Sequence, residues 1–478
     1  MPVGGRGARC FAPLPENAPG FSGCRGRGLR EAALLDAAAG CLRAIEGRAA
    51  RWGVYQGLQG GSVYVGVAGV ALVKLRAARL LSRAPEAFGG AKLVRPGSHW
   101  AGWSPETFAR EALGSLAEAE ELLASNGEAS CCSFFCGLSG ILALQAEAWD
   151  LLGDAEATGR TLEALVKHSR LALRLPREDC ELLYGRCGCL WALLSVQNLW
   201  GAVGGRSRPG ASKGNFLKNK KELAAVDVRK LVTELANQVF EEGRRLGAGS
   251  TLPLLYRWRG KPYLGAAHGL VGVLNTLLYL PSDCCEVSDR SNDVMRTIHG
   301  LIDLRLPSGN LPSSLGNNSD RLVAWCHGPA GLIHLLVHPG LKALGGSPRR
   351  FLDAAIKACQ VVWERGLLKK GLGLCHGISG NAYSFLALYR HTGDPGHLRR
   401  AEQFAAVAAD SVTAAFDPAS ELSASAISQL TDRPDRPASL MEGIGGACCL
   451  FLDLIDPAKA AFPGFELPPA GLTGWPEH

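Results

Sequence analysis

The chain has 478 residues, of which 47% are hydrophobic and 20% charged, with a formal net charge of +7. That balance belongs to a globular protein with a large core and excludes a disordered chain. The longest apolar stretches, such as 270–280, fall well short of the roughly 20 residues a membrane helix needs, so no transmembrane helix is expected.

The first residues are rich in Gly, Arg and Pro and lack an apolar core segment, so no secretory signal is expected and the protein is expected in the cytoplasm. The positive charge is concentrated in Arg6, Arg9, Arg25, Arg27 and Arg30 and in six basic residues within 206–221. Both stretches are Gly-rich and read as solvated, flexible segments. Phe216 stands alone among the second group, so a stacking platform for nucleic acid is not expected. Peripheral contact with an acidic plasma-membrane surface is left open. The 16 cysteines read as small core residues, ligands or nucleophiles in a reducing compartment. The neighbours Cys131-Cys132, Cys284-Cys285 and Cys448-Cys449 cannot form an ordinary unstrained bridge and are given no function.

Taken in order, residues 29–52 show helical spacing at Leu34, Leu35, Ala38, Leu42 and Ile45. Next comes Tyr64-Val-Gly66-Val-Ala-Gly69, which opens an apolar helix over 70–81. The same grammar recurs: a more polar helix, a loop, then Gly-x-x-Gly at the start of a more apolar helix. Its later copies begin at Gly137, Gly185, Gly269, Gly328, Gly377 and Gly443, at intervals of 71, 48, 84, 59, 49 and 66 residues. Chance alone gives roughly seven or eight such pairs in a chain this rich in Gly, so the apolar run after each copy carries the inference. Gly opening a helix costs roughly 0.5–1 kcal/mol relative to Ala, and its recurrence at one position predicts close backbone packing there.

Strand patterns are scarce, and the helices are separated by Pro- and Gly-rich loops such as 201–214, 306–318 and 432–437. The expected fold is all-α: an α/α toroid, or barrel, of seven helical hairpins with inner apolar and outer amphipathic helices. Closure leaves no exposed end repeat. The expected division is a flexible basic arm over 1–28, a single domain over 29–467 with a basic loop near 201–221, and a tail over 468–478. In such a barrel the loops before the inner helices converge at one mouth, which gathers His268, Cys326, His327, Cys375 and His376.

Two of the Gly motifs carry Cys-His-Gly, at Trp325-Cys326-His327-Gly328 and Leu374-Cys375-His376-Gly377. Random order gives on the order of 0.05 such triplets, so the pairing is signal. Thiolate and imidazole are ligand types that Zn²⁺ prefers, and three protein ligands leave one position open for chemistry.

These stretches, with Tyr263-Leu-Gly-Ala-Ala-His268-Gly269, Pro307-Ser-Gly-Asn-Leu-Pro and Phe462-Pro-Gly-Phe-Glu-Leu, resemble the LanC-like proteins. These are eukaryotic relatives of the bacterial lanthionine cyclases, and the chain looks in particular like the plant members. The resemblance spans about residues 245–467, with weaker Gly motifs in the first half. It implies a seven-hairpin α/α toroid with zinc at the mouth, and the matching ligands are Cys326, Cys375 and His376. It also implies binding of glutathione and addition of its thiol to dehydroalanine or dehydrobutyrine in peptides or proteins, which makes a thioether. A purely structural zinc would want a fourth protein ligand, which His327 or another cysteine could supply.

The carbanion left by such an addition needs a proton, and His268 is the candidate donor, its alternative being an ordinary helix-start histidine. His327 stands where bacterial members have a tyrosine and is a second catalytic candidate, for orienting substrate. Lys370 matches a family lysine that holds the tripeptide, and Arg9 resembles an N-terminal arginine with that role. Arg321, Asp320 and Glu442 are indistinguishable from surface charges. Pro339 and Gly340 interrupt the helix after Gly331, which predicts a short helix there and less secure geometry at Cys326. A second reading is a zinc-stabilised glutathione-binding or signalling scaffold without turnover. Glycoside hydrolysis, which needs a pair of carboxylates, ranks last, since the motif mouths offer Cys and His.

Overall fold

The fold is that of a computed structural model, which describes residues 12–15, 27–51, 60–83, 103–199, 215–281, 287–342, 344–345, 347–416 and 436–468. Arg6, Arg9, Arg25, Cys284, Cys285, the tail from 469 and the 201–214 stretch lie outside the described residues. The described residues form fourteen α-helices and two short 3-10 turns, with no strand and only two isolated β-bridges. None of these helices is long and apolar enough to cross a membrane.

The helices alternate in role. Outer helices are α1 (Arg27–Arg51), α3 (Pro105–Ser125), α5 (Ala155–Ser169), α7 (Asn215–Gly247), α9 (Val287–Asp303), α11 (Pro348–Arg365) and α13 (Pro395–Phe416). Inner helices are α2 (Val67–Arg83), α4 (Leu138–Leu151), α6 (Arg186–Ser195), α8 (Leu270–Leu277), α10 (Pro329–Leu336), α12 (Ile378–Thr392) and α14 (Ile444–Ile455). Residues 215–221, read from sequence as part of the basic loop, open α7.

Local chemistry separates the two sets. Outer helix α3 starts at Ser104, whose hydroxyl accepts the Thr107 amide, with Pro105 at its first turn, and it buries a single stripe through Phe108, Ala112, Leu116, Ala119 and Leu123. The inner helices are buried more deeply: α8 and α10 are buried along their whole length, and in α14 every residue but Asp453 is buried. Each inner helix packs on the next, in the order α2, α4, α6, α8, α10, α12, α14, and α14 packs back on α2, so the ring is closed.

The Gly-x-x-Gly motif has one physical reason in all seven copies. A Cβ on the second glycine would lie 1.8–2.7 Å from the carbonyl oxygen six residues earlier, as for Gly140 against Phe134 and Gly380 against Leu374. The loop folds back so tightly that no side chain fits, and its carbonyls also accept the first helical amides, such as Leu138 N–H to Cys131 and Ile378 N–H to Gly371. These loops serve where outer helices α3 and α5 use the side-chain caps Ser104 and Asp154.

At the mouth the loops are laced together at one repeated position, two residues before the first glycine. Ala267 donates its amide to Cys326, Cys326 to Cys375, Cys375 to Met441, Met441 to Tyr64 and Tyr64 to Phe135, over 2.7–3.4 Å. The lacing is interrupted at the third loop, where the Leu183 amide goes instead to the Glu181 carboxylate.

The barrel interior is filled by the chain's own end. Phe462 and Phe465 are fully buried, Trp325 stacks on Phe462 at 5.2 Å, and Asn275 on α8 donates to the Phe465 carbonyl. Glu466 meets Arg390 and His334, and Asp453 meets Arg76 and the Tyr383 hydroxyl. Burial alone would raise the Glu466 carboxyl, but Arg390, His334 and the Phe462 amide outweigh it and hold it well below the usual carboxylate range.

Candidate metal centre

Cys326 and Cys375 occupy the laced position of the fifth and sixth loops, which open α10 and α12, and His376 follows Cys375 directly. The amide of Cys326 donates to the Cys375 carbonyl at 3.2 Å, so main-chain pairing fixes the separation of the two sulfurs. The ligand atoms of Cys326, Cys375 and His376 all lie within 4.8 Å of one another. Tetrahedral Zn²⁺ with Zn–S of about 2.3 Å and Zn–N of about 2.0–2.1 Å needs ligand atoms roughly 3.5–3.8 Å apart, so two sulfurs and one imidazole in this space fit the ion. It is the one such cluster among the described residues.

The electrostatics agree with a site built for positive charge. The hydrogen bond from the Cys375 thiol, with help from His376, outweighs burial and pulls the Cys326 thiol well below its usual range. Burial, then the adjacent Cys326, push Cys375 well above it. Burial opposes charge on His376, yet the hydrogen bond and charge of Cys326 raise it. The two sulfurs are thus pushed in opposite directions, Cys326 towards thiolate and Cys375 towards thiol, and a divalent cation would hold both as thiolates.

The helix carrying this loop is as short as the sequence predicts, eight residues from Pro329 to Leu336. The expected looseness at Cys326 does not follow. That residue sits before the helix, in the laced loop, and α8 is equally short. Gly265 lies against the Cys326 main chain and Gly373 against Met441 and Glu442, so close that an added Cβ would come within 2.3 Å of a carbonyl oxygen in each case. Neighbouring loops are therefore locked together by glycine on both sides of the ligands.

His268 enters from the loop opening α8. Its Nδ1 lies 2.8 Å from Glu181 Oε2, and its ring stacks on Trp258 with centroids 3.7 Å apart, with Tyr184 parallel at 6.3 Å. Glu181 is buried and accepts the amides of Leu183, Tyr184 and Gly185. This fixed carboxylate holds one ring nitrogen of His268 and so sets the orientation of the ring. His327 does not join the three-ligand cluster. Its ring lies 5.3 Å from Tyr263, its Nδ1 is buried without a hydrogen-bond partner, and burial lowers its pKa.

Lys370 stands close enough for its charge to oppose protonation of His376, and Glu442 for its charge to favour it. Asp320 is half-buried and bound by Asn310 and Arg365, whose hydrogen bonds outweigh partial burial and hold its carboxyl down. Sequence reasoning missed Glu181, Trp258 and Tyr184. Glu181 precedes the third glycine motif by four residues, but nothing in a linear reading ties it to a histidine 87 positions on.

Comparison with known proteins agrees with this geometry. The family profile described as lanthionine synthetase C-like protein matches residues 106–467. Glutathione S-transferase LANCL1 of Danio rerio is 33% identical over 344 residues, covering 70% of this chain and 74% of the relative. LanC-like protein GCL1 of Arabidopsis thaliana is 35% identical over 348 residues, covering 70% of each. Among solved structures, nisin cyclase superposes with a TM-score of 0.52 at 17% identity, covering 90% of this chain and 96% of that one, which shows the shared toroid. Matched over most of its length by the family profile and by relatives above 30% identity, the chain belongs to the lanthionine synthetase C-like family.

Proposed function

We propose that the protein binds glutathione at the mouth of its barrel and adds the thiol to dehydroalanine or dehydrobutyrine residues of peptides or proteins in the cytoplasm, leaving a thioether. The observation that carries this reading is the convergence of Cys326, Cys375 and His376 beside a histidine steered by a buried carboxylate. The names of the relatives support it: one is a glutathione S-transferase, and the structural neighbour is a cyclase named for the peptide nisin.

Cys326, Cys375 and His376 would hold Zn²⁺ and leave one position for an incoming donor. When bound, the ion supplies the positive charge that keeps a thiol, ordinarily near pKa 8.5, as thiolate at neutral pH. Lys370, on the His376 side, takes a glutathione carboxylate, and Arg9 is the proposed second contact. As the new C–S bond forms at the β-carbon, negative charge gathers at the α-carbon, and His268 returns a proton there from Nε2. Glu181 keeps the ring turned and stabilises it when charged, while Trp258 prevents it from tilting. His327, with a free buried nitrogen beside the ligands, orients the acceptor.

The test is incubation of zinc-loaded protein with glutathione and a dehydroalanine peptide, followed by mass spectrometry of the adduct. Equal adduct from the native chain and Cys375→Ala would end the proposal. Glutathione binding without adduct would favour a binding scaffold over an enzyme.

A further inference from the structure

We infer that the turn formed by residues 257–261 is an acceptor-side subsite, in which Arg259 and Lys261 bind a carboxylate side chain of the polypeptide next to its dehydro residue. The inference rests on the proposed reaction for its biological use, but its geometry is independent of the ligand cluster.

The first observation is strain. Trp258 and Lys261 exchange main-chain hydrogen bonds of 3.0 and 3.1 Å around a two-residue turn. Its central residues, Arg259 and Gly260, have φ of +48° and +76°, and Arg259 is the one non-glycine with positive φ among the described residues. Turns of this kind favour Asn-Gly or Asp-Gly. The turn therefore holds a guanidinium at its tip in a conformation that asparagine would adopt more easily.

The second is placement. The Arg259 guanidinium lies 4.7 Å over the ring of Trp258, the same ring that stacks on His268, and Lys261 Nζ lies 5.0 Å from the ring of Tyr263. Arg257 braces the turn by donating to the Gly260 carbonyl. Neither Arg259 nor Lys261 has an acidic partner among the described residues. Cations backed by aromatic faces are directed and partly shielded from water, which favours capture of an anion over random solvation.

The third is which anion. Lys370 already stands on the His376 side, where the thiol donor enters. The turn instead meets His268 through the Trp258 ring, and Lys261 stands close enough for its charge to act on His327, the residue proposed to orient the acceptor. A proton donor must face the α-carbon of the acceptor. The anion therefore belongs to the acceptor chain.

The experiment compares dehydroalanine peptides flanked by Glu, Gln or Lys. The Glu peptide is expected to exceed the Gln peptide in kcat/KM by roughly five- to tenfold, the combined effect of two partly exposed ion pairs, and the gap should shrink as salt rises. Arg259→Asn and Lys261→Gln are expected to erase the preference while keeping the rate on the Gln peptide. Arg259→Asn should also unfold at higher denaturant, since asparagine suits the turn. Equal kcat/KM for Glu and Gln peptides overturns the inference, as does a change confined to the KM for glutathione. Fluorescence anisotropy of the labelled Glu peptide without glutathione separates the two claims. If that peptide binds tighter than its Gln counterpart and Arg259→Asn removes the difference, yet no peptide is converted, the subsite stands and the proposed reaction falls.

Discussion

Replacing Gly380 by alanine sets two physical effects against each other with opposite signs. Helix propensity alone says that alanine is better by about 0.5–1 kcal/mol. The structure says otherwise, because the new Cβ would stand 1.8 Å from the Leu374 oxygen and 2.6 Å from its carbonyl carbon. Reaching even the 3.0 Å that bounds real Cβ contacts requires the main chain to yield by 1.2 Å (3.0 minus 1.8). Overpacking of side chains costs typically 1–3 kcal/mol, and backbone yields less readily than a side-chain tip, so the upper end applies. The net expectation is a loss of about 2 kcal/mol or more. The strain also falls on the residue before Cys375, whose amide donates to Met441 and whose carbonyl accepts Cys326. Metal retention should drop with stability. The controls are Gly114→Ala on α3 and Gly159→Ala on α5, where an added Cβ meets nothing within 4 Å. These should gain up to about 1 kcal/mol. Urea denaturation midpoints and zinc content per chain, read together, decide the matter. A Gly380→Ala protein as stable as Gly114→Ala would show that the seven-fold motif has another cause.

Glu466→Gln removes the carboxylate shared by Arg390 and His334 inside the barrel, and should cost about 3–5 kcal/mol at neutral pH. Because the folded carboxyl lies below its ordinary value, its contribution is present above the unfolded pKa and lost as pH falls towards the folded one. Denaturation midpoints of the native and variant chains should therefore converge below about pH 4. His268→Gln should lower kcat on a dehydroalanine peptide by roughly 10²–10⁴-fold with zinc content unchanged, which a mass-spectrometric rate assay and metal analysis would check together. Chelation should abolish adduct formation and leave the far-ultraviolet circular dichroism intact, since the ring of inner helices closes through packing and main-chain bonds; loss of helicity on chelation would contradict that account.

Much of the toroid was legible because it repeats. Seven glycine pairs, each followed by an apolar run, announce seven inner helices, and Cys326, His327, Cys375 and His376 stand out because their motif is rare by chance; the choice of His376 over His327 as third ligand came from the family resemblance. The short helix after Gly331 was readable from Pro339. Its supposed effect on Cys326 was not, because the residue is positioned by hydrogen bonds to a loop 49 residues away in sequence. Glu181 beside His268, and Glu466 between Arg390 and His334, are single buried encounters with no periodicity to reveal them. Asp320 read as a surface charge and stays partly exposed; its pairing with Arg365, 45 residues on, comes from the packing of the loop before α10 on α11.

The lacing of the mouth has a consequence for how such centres can arise. Tyr64, Phe135, Ala267, Cys326, Cys375 and Met441 occupy one equivalent seat in their respective repeats, and the backbone holds each seat whatever side chain fills it. Donor atoms can thus be redistributed around the rim without redesigning the scaffold. Ala267→Cys, adjacent to Cys326 along the lacing, would place a third sulfur on an unaltered framework and offer the proposed metal a fourth protein donor.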